Sequence, residues 1–419
     1  MSVLDDIQKS FIKKESIYGP DNYKPLPVVL SKAKGVWVWD VSEKKYLDMM
    51  SGYSAVSHGH AHPVLLKTFH DQSSRLSLTS RAFYTDTLGP YLETITQMTG
   101  FEMALPMNSG AEAVETAIKS SRRWAYRTKK VEENKAEIIV AEGNFHGRTT
   151  TIISFSTDEN SRKDFGPHTP GFVAVEYGSS KAIEDAITPN TAAVIIEPIQ
   201  GEGGIIVPPD NYLNEVRAIC TKHNVLMILD EIQSGLGRTG KLFAYQHSCG
   251  QCSCGENLCE VQPDGLILGK ALGGGFMPVS VFLSSEEVLG WMDPGSHGST
   301  FGGNPLASAL AKRSLELLYE ENLIENSRVM GDYFKEQLTV LDSELIVEIR
   351  GMGLWLGVEI DQKYISGNEL SKTLLEAGIL CKETHENTIR FAPPLVVTKE
   401  ELDWGIEKIA KVFSEVTKS

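Results

Sequence analysis

Through the middle of the chain the hydrophobic positions fall into short unbroken runs instead of alternating with polar ones. Glu137-Ile-Ile-Val140, Phe172-Val-Ala-Val175, Ala192-Ala-Val-Ile-Ile196, Val225-Leu-Met-Ile-Leu229 and Leu266-Ile-Leu268 are each bounded by glycine, proline or charge. A strand apolar on both sides must be covered on both sides, and helical segments separate these runs. The pattern therefore predicts an α/β fold, a largely parallel sheet enclosed by helices. Ahead of it, Val3–Lys14 reads as a helix, followed by an extended segment through Pro20, Pro25 and Pro27. Gly35–Trp39 and Lys45–Met50 then read as a hairpin. After Asn304-Pro305 comes an amphipathic helix, Leu306–Glu320. Strand-like runs at Leu354–Ile360 and Ile389–Phe391 and a last helix from Thr398 predict a smaller α+β unit. We expect three parts: an N-terminal segment, 1–54, packing with the small unit; a large domain, 55–303; and a small C-terminal domain, 304–419.

The 419 residues are 41% hydrophobic, enough for a sizeable core. Fifty-five acidic against 40 basic side chains, net −15, argue against nucleic acid or an anionic membrane as the partner. No apolar run approaches the roughly 20 residues that span a bilayer. The first residues have neither a secretory apolar core nor the arginine-rich character of a transit peptide, so a cytoplasmic location is expected.

In open α/β sheets ligands gather at the carboxyl ends of the strands. Lys270 ends the run Gly265-Leu-Ile-Leu-Gly-Lys270 and opens Ala271-Leu-Gly-Gly-Gly275, where lost hydration would lower its pKa and make a nucleophilic amine. A lysine snorkelling to solvent is the plainer alternative. Asp230 ends the neighbouring run. Its plain reading is a salt bridge to Lys270 or Arg238, and its chemical one a partner for a pyridinium nitrogen. Asn108-Ser-Gly-Ala-Glu-Ala113 leads into a helix at Val114–Tyr126 and reads either as a phosphate turn or as an ordinary cap. Asn144-Phe-His-Gly-Arg-Thr149 and Glu197-Pro-Ile-Gln-Gly-Glu-Gly-Gly204 follow two further strands. His58, His60 and His62 invite a metal-site reading, but alternate positions in a glycine-containing segment more often line a turn.

Taken in order, Ser109-Gly110-Ala111, Phe145-His146-Gly-Arg148, Asp230-Glu-Ile-Gln233, Lys270 and Gly298-Ser-Thr300-Phe-Gly-Gly resemble the class III, fold type I, pyridoxal-phosphate aminotransferases over nearly the whole chain. The resemblance implies pyridoxal 5′-phosphate as cofactor, anchored by a Schiff base to Lys270, which also shuttles the proton. It implies Asp230 on the pyridine nitrogen, Phe145 and Ile232 on the two ring faces, and Gln233 on the phenolic oxygen. Ser109, Gly110, Ala111, His146 and Glu197 complete the cofactor residues. Ser299 and Thr300 resemble the pair that reaches the neighbouring subunit's phosphate, which implies a homodimer with shared active sites.

Within the class the chain is most similar to the ornithine aminotransferases. The substrates implied are an amino acid that enters by its terminal amine and 2-oxoglutarate. One arginine cannot stay open to both α-carboxylates, and the resemblance assigns the switch to Glu202 and its partner Arg390. It assigns the distal carboxylate to Arg148, whose planar fork suits it, and ornithine's α-end to Tyr23 and Tyr53. Core or interface packing is the plain alternative for the tyrosines. His146 departs from the tryptophan of many eukaryotic ornithine enzymes. The Phe-His-Gly-Arg form is shared with acetylornithine and other ω-amino acid enzymes, including those for 4-aminobutyrate, which are the second reading.

One stretch lies outside the resemblance. Residues 247–260 carry Cys249, Cys252, Cys254 and Cys259, four of the chain's six cysteines. Four thiolates could close a structural zinc site, with free thiols or local disulfides as the alternatives.

Overall fold

The structure, a computed structural model, describes residues 6–249, 260–341 and 343–418. An exposed helix, Asp6–Tyr18, leads to β1 (Leu30–Lys34), β2 (Trp37–Asp40) and β3 (Lys45–Asp48). The predicted hairpin is therefore β2–β3, with β1 added on its outer edge. Asp40 fixes the β2–β3 turn by accepting the backbone N–H groups of Ser42 and Lys44 and the Tyr46 hydroxyl.

The central sheet has seven strands: β4 (Met103–Met107), β5 (Glu137–Ala141), β6 (Phe172–Val175), β7 (Thr191–Ile196), β8 (Leu226–Asp230), β9 (Gly265–Leu268) and β10 (Ser280–Ser284). Their order is β4-β10-β9-β8-β7-β5-β6, parallel except for β10, which runs antiparallel to both neighbours. Every residue of β7, β8 and β9 is buried, as continuous apolar runs require. β5 through β9 match the predicted runs to within a residue or two, whereas β4 and β10 were not anticipated.

The C-terminal sheet contains β11 (Ile346–Met352), β12 (Trp355–Ile360), β14 (Lys382–Thr384) and β15 (Thr388–Phe391), in the order β11-β12-β15-β14. The short β13 (Ile379–Leu380) instead pairs with β3, so the chain's beginning and end share one sheet. The expected helices run Pro305–Glu320 and Lys399–Val416, capped by Asn304 and Thr398. Among the described residues no helix is long and apolar enough to cross a membrane.

Candidate active site

Asp230 ends β8, Lys270 stands two residues beyond β9, and the parallel register of these neighbouring strands brings the two to the same end of the sheet. Lys270 has φ 42°, in the left-handed region that a lysine seldom adopts. Burial lowers its pKa below the ordinary lysine range, against the pull of Glu202, Asp230 and Glu197. Asp230 does not pair with Lys270 or Arg238. Its Oδ2 lies 2.6 Å from His146 Nδ1, and its Oδ1 accepts the Ile232 N–H at 3.0 Å. Desolvation opposes charge on the buried His146. The hydrogen bond and charge of Asp230, with the charge of Glu197, outweigh it and raise the His146 pKa. The hydrogen-bond partner of the buried aspartate is therefore His146, 84 positions away.

A cavity of about 190 Å³ opens over this pair, lined by Gly110, Ala111, Phe145, His146, Gly147, Glu197, Ile232, Gln233 and Lys270 among others. Two glycines keep it open. A Cβ on Gly110 would stand 2.9 Å from Ile232 Cδ1, and one on Gly147 (φ 127°) would stand 2.8 Å from the Ala111 Cβ. The 15-residue helix Gly110–Trp124 points its N-terminus at the cavity, its cap closed by reciprocal Ser109 and Glu112 bonds. The N–H groups of Gly110 and Ala111 have no intrahelical acceptor and suit an anion. Anion donors, apolar Ile232, a carboxylate and a desolvated amine fit a flat, phosphorylated pyridine aldehyde such as pyridoxal 5′-phosphate. Glu197 lines the cavity with both carboxylate oxygens bound to backbone donors. Its Oε1 accepts the Phe145 N–H at 2.9 Å and its Oε2 the Gly201 N–H at 3.1 Å. It therefore ties two loops of the site together.

Glu202 Oε1 and Arg390 Nη1 are 2.6 Å apart, and the Arg390 guanidinium lies 5.1 Å from the Tyr53 ring centre. The pair is asymmetric: the Arg390 side chain is 9% exposed and the Glu202 side chain 28%. The carboxylate is thus the partner with room to move. Its backbone is held, because Thr384 Oγ1 donates to the Glu202 carbonyl at 2.8 Å and Arg350 Nε to the Gly204 carbonyl at 2.8 Å. Nothing in the local sequence announces Thr384 or Arg350 as a clamp on a loop some 180 or 146 positions away. Arg148 lies 5.6 Å over the Phe145 ring and has no carboxylate within ion-pair distance among the described residues. With Phe145 and Glu202 it lines an adjoining cavity of about 490 Å³.

Tyr23 is exposed and lines, with Tyr53, a further apolar cavity of about 940 Å³. Ser299 Oγ accepts from Asn108 Nδ2 of its own chain at 2.7 Å, beside the Ser109 turn, and Thr300 is exposed. The three clustered histidines take different hydrogen-bond partners: His58 meets the Ser314 carbonyl, His60 meets Asp48, and His62 meets Glu321, while the His58 and His62 rings meet edge to face at 6.4 Å. Of the four clustered cysteines, Cys252, Cys254 and Cys259 lie outside the described residues. Cys249 is buried and joined in a disulfide. A sulfur in a disulfide offers a metal no thiolate, and among the described residues no three His, Cys, Asp or Glu side chains gather as ligands. The expected four-thiolate zinc site is left without support.

Glu231, next to Asp230, is fully buried, and its carboxylate accepts the N–H groups of Ala244 and Tyr245 and the Ser234 hydroxyl. Desolvation outweighs these bonds and raises its pKa from 4.5 to about 7. Because the folded value lies above the unfolded one, its proton-linked contribution is complete below about pH 4.5 and lost as pH rises through 7. Between pH 5 and 8 the wild type should therefore lose up to about 3 kcal/mol more stability than Glu231→Gln, measured by denaturant unfolding at each pH. Parallel pH slopes for the two proteins would contradict this.

The class-III aminotransferase family matches residues 18–413. An ornithine aminotransferase of Brevibacillus brevis is 53% identical over 402 residues, 96% of this chain and 97% of the relative. The crystallised ornithine aminotransferase of Toxoplasma gondii, with pyridoxal phosphate at partial occupancy in its active site, superposes with a TM-score of 0.94 at 42% identity, over 98% of this chain and 95% of its own. An acetylornithine aminotransferase of Elizabethkingia anophelis superposes with a TM-score of 0.86 at 43% identity, over 97% and 99%. With a family match of this extent, and relatives alike from end to end, the chain belongs to the class-III aminotransferases.

Proposed function

We infer that the protein is an ornithine δ-aminotransferase. It moves the δ-amino group of L-ornithine to 2-oxoglutarate, giving glutamate and glutamate 5-semialdehyde, which cyclises to pyrroline-5-carboxylate. The observation that carries this reading is the Glu202–Arg390 pair, 2.6 Å apart with its more exposed partner free to swing. Paired, Arg390 is neutralised and does not draw ornithine's α-carboxylate toward the reacting centre. Released, it receives the α-carboxylate of the oxo acid, while Arg148 takes the distal one bidentately.

Pyridoxal 5′-phosphate, when bound, supplies an electron sink for the carbon that loses its proton and a carrier for the amino group. The chain's own residues do the rest. Lys270 Nζ anchors the cofactor, then accepts and returns the proton, a task that its desolvation favours by lowering the cost of the neutral amine. Asp230, held by His146, would face the ring nitrogen with its carboxylate. Phe145 and Ile232 would cover the ring faces, Gln233 would meet the phenolic oxygen, and Ser109, Gly110 and Ala111 would hold the phosphate. Tyr23 and Tyr53 orient ornithine's α-end. The same reading makes the protein a cytoplasmic homodimer in which Ser299 and Thr300 reach the neighbour's phosphate. It also divides the chain into the parts 1–54, 55–303 and 304–419.

His146 in the Phe-His-Gly-Arg segment and the likeness to the Elizabethkingia enzyme favour one second reading, an acetylornithine or 4-aminobutyrate-type aminotransferase. Mixing the purified holoenzyme with each amine separates the two. Ornithine is expected to bleach the cofactor's visible absorption fastest. Bleaching by acetylornithine or 4-aminobutyrate but not by ornithine would reject the ornithine reading.

A further inference from the structure

Arg238 is fully buried, its relative exposure 0%, and no carboxylate stands within ion-pair distance of it among the described residues. Its Nη1 donates to two carbonyls, of Leu354 at 2.9 Å and Pro393 at 2.6 Å, and its Nη2 to Ser57 Oγ at 2.9 Å. Ser57 Oγ passes its own proton to the Ser54 carbonyl at 3.1 Å. A guanidinium taken out of water without an anion is costly, and a packing role alone would be met by an apolar side chain.

The segments this one fork joins are informative. Pro393 lies three residues after Arg390, and Ser57 four residues after Tyr53. Leu354 precedes Trp355, whose ring lies 3.0 Å from where a Cβ on Gly201, the neighbour of Glu202, would be. Arg238 itself sits on the loop that leaves Asp230 and Gln233. Backbones also meet directly there: a Cβ on Gly353 (φ 55°) would fall 2.5 Å from the Thr239 carbonyl carbon. Such a contact leaves little slack, so a shift at the fork is passed on to the segments it joins.

We propose that Arg238 is a positioning residue for substrate selection, fixing where Arg390, Tyr53 and the Glu202 loop stand relative to the reacting centre at Asp230 and Lys270. This rests on the ornithine reading for the roles of Arg390 and Glu202. A lysine keeps the charge but cannot hold three acceptors in one plane. Loss of one bond from the fork should shift the substrate-binding side of the site and leave the cofactor side in place.

The test compares Arg238→Lys and Ser57→Ala holoenzymes with the wild type in steady-state and half-reaction kinetics. Arg238→Lys is expected to raise KM for 2-oxoglutarate and to lower the preference for δ- over α-amines, each about tenfold, with kcat within about twofold and the cofactor's absorption unchanged. Ser57→Ala is expected to do the same about threefold. Unchanged KM and preference in both variants, whatever happens to Tm, would overturn the proposal, as would a fall in kcat with KM unmoved. If Arg238→Lys fails to fold, Ser57→Ala decides alone. Wild-type turnover of ornithine is measured alongside. Its absence would sink the ornithine reading only, and the KM ratios for the oxo acid, taken with 4-aminobutyrate as donor, would still judge Arg238.

Discussion

Lys270→Ala is expected to lose turnover by a factor on the order of 10⁴ to 10⁶, the largest effect of any single substitution in this chain. The reason is the composition of the cavity. Among the described residues Lys270 supplies its only amine, and the one other nitrogen base there, His146, has Nδ1 committed to Asp230. No neighbouring side chain can take over both the anchoring of the cofactor and the return of the proton. Lys270→Arg should be nearly as inactive, because a guanidinium stays protonated at any working pH and presents no neutral amine. The measurement is single-turnover bleaching with ornithine, together with a cofactor-binding assay. The variants should still bind pyridoxal 5′-phosphate through the phosphate turn and Asp230, yet react at a small fraction of the wild-type rate. A variant that turns over within about tenfold of wild type would show that another group carries the proton.

Glu202→Ala is expected to have the second-largest effect, and to act on choice instead of rate. Removing the carboxylate leaves Arg390 nearly buried beside the Tyr53 ring, with no other carboxylate within ion-pair distance among the described residues. A guanidinium in that state will accept any α-carboxylate presented to it. The δ-over-α preference with ornithine should therefore fall about a hundredfold, equivalent to about 2.7 kcal/mol, the scale of a desolvated ion pair exchanged for another. Reaction with glutamate should be preserved or faster, since the arginine no longer has to be released. Product analysis distinguishing glutamate 5-semialdehyde from the 2-oxo acid of ornithine reads this directly. An unchanged product ratio would remove Glu202 from its assigned role.

These residues differ in how openly the sequence displays them. The strands β5 to β9 could be read because burial on both faces leaves an unmistakable apolar run, and with them came the positions of Asp230 and Lys270. β4, Met103-Ala-Leu-Pro-Met107, could not, because it carries a proline and is only partly buried over its first three residues. The antiparallel insertion of β10 between β4 and β9 is a matter of tertiary pairing that no local pattern records. The same holds for the polar contacts. Sequence and strand order offer Asp230 the cations Lys270 and Arg238, whereas the fold gives it His146. Arg238 bonds to three segments from elsewhere in the chain, at two carbonyls and one serine hydroxyl. Cys249, open on sequence alone to a metal, a free thiol or a disulfide, is a disulfide sulfur. Strand position is local information; the pairing of buried polar groups is settled only when distant segments meet.

The strand order bears on how the chain reaches activity. His146 follows β5, Asp230 ends β8, Lys270 follows β9, and β7 separates β5 from β8. No single strand-helix-strand unit contains all three side chains, so early local structure cannot assemble even a weak version of the site. Parallel pairings of this kind close long loops and form slowly. Acquisition of the cofactor during refolding would then report completion of the whole sheet, and its visible colour would serve as a clock for the last step of folding, not the first.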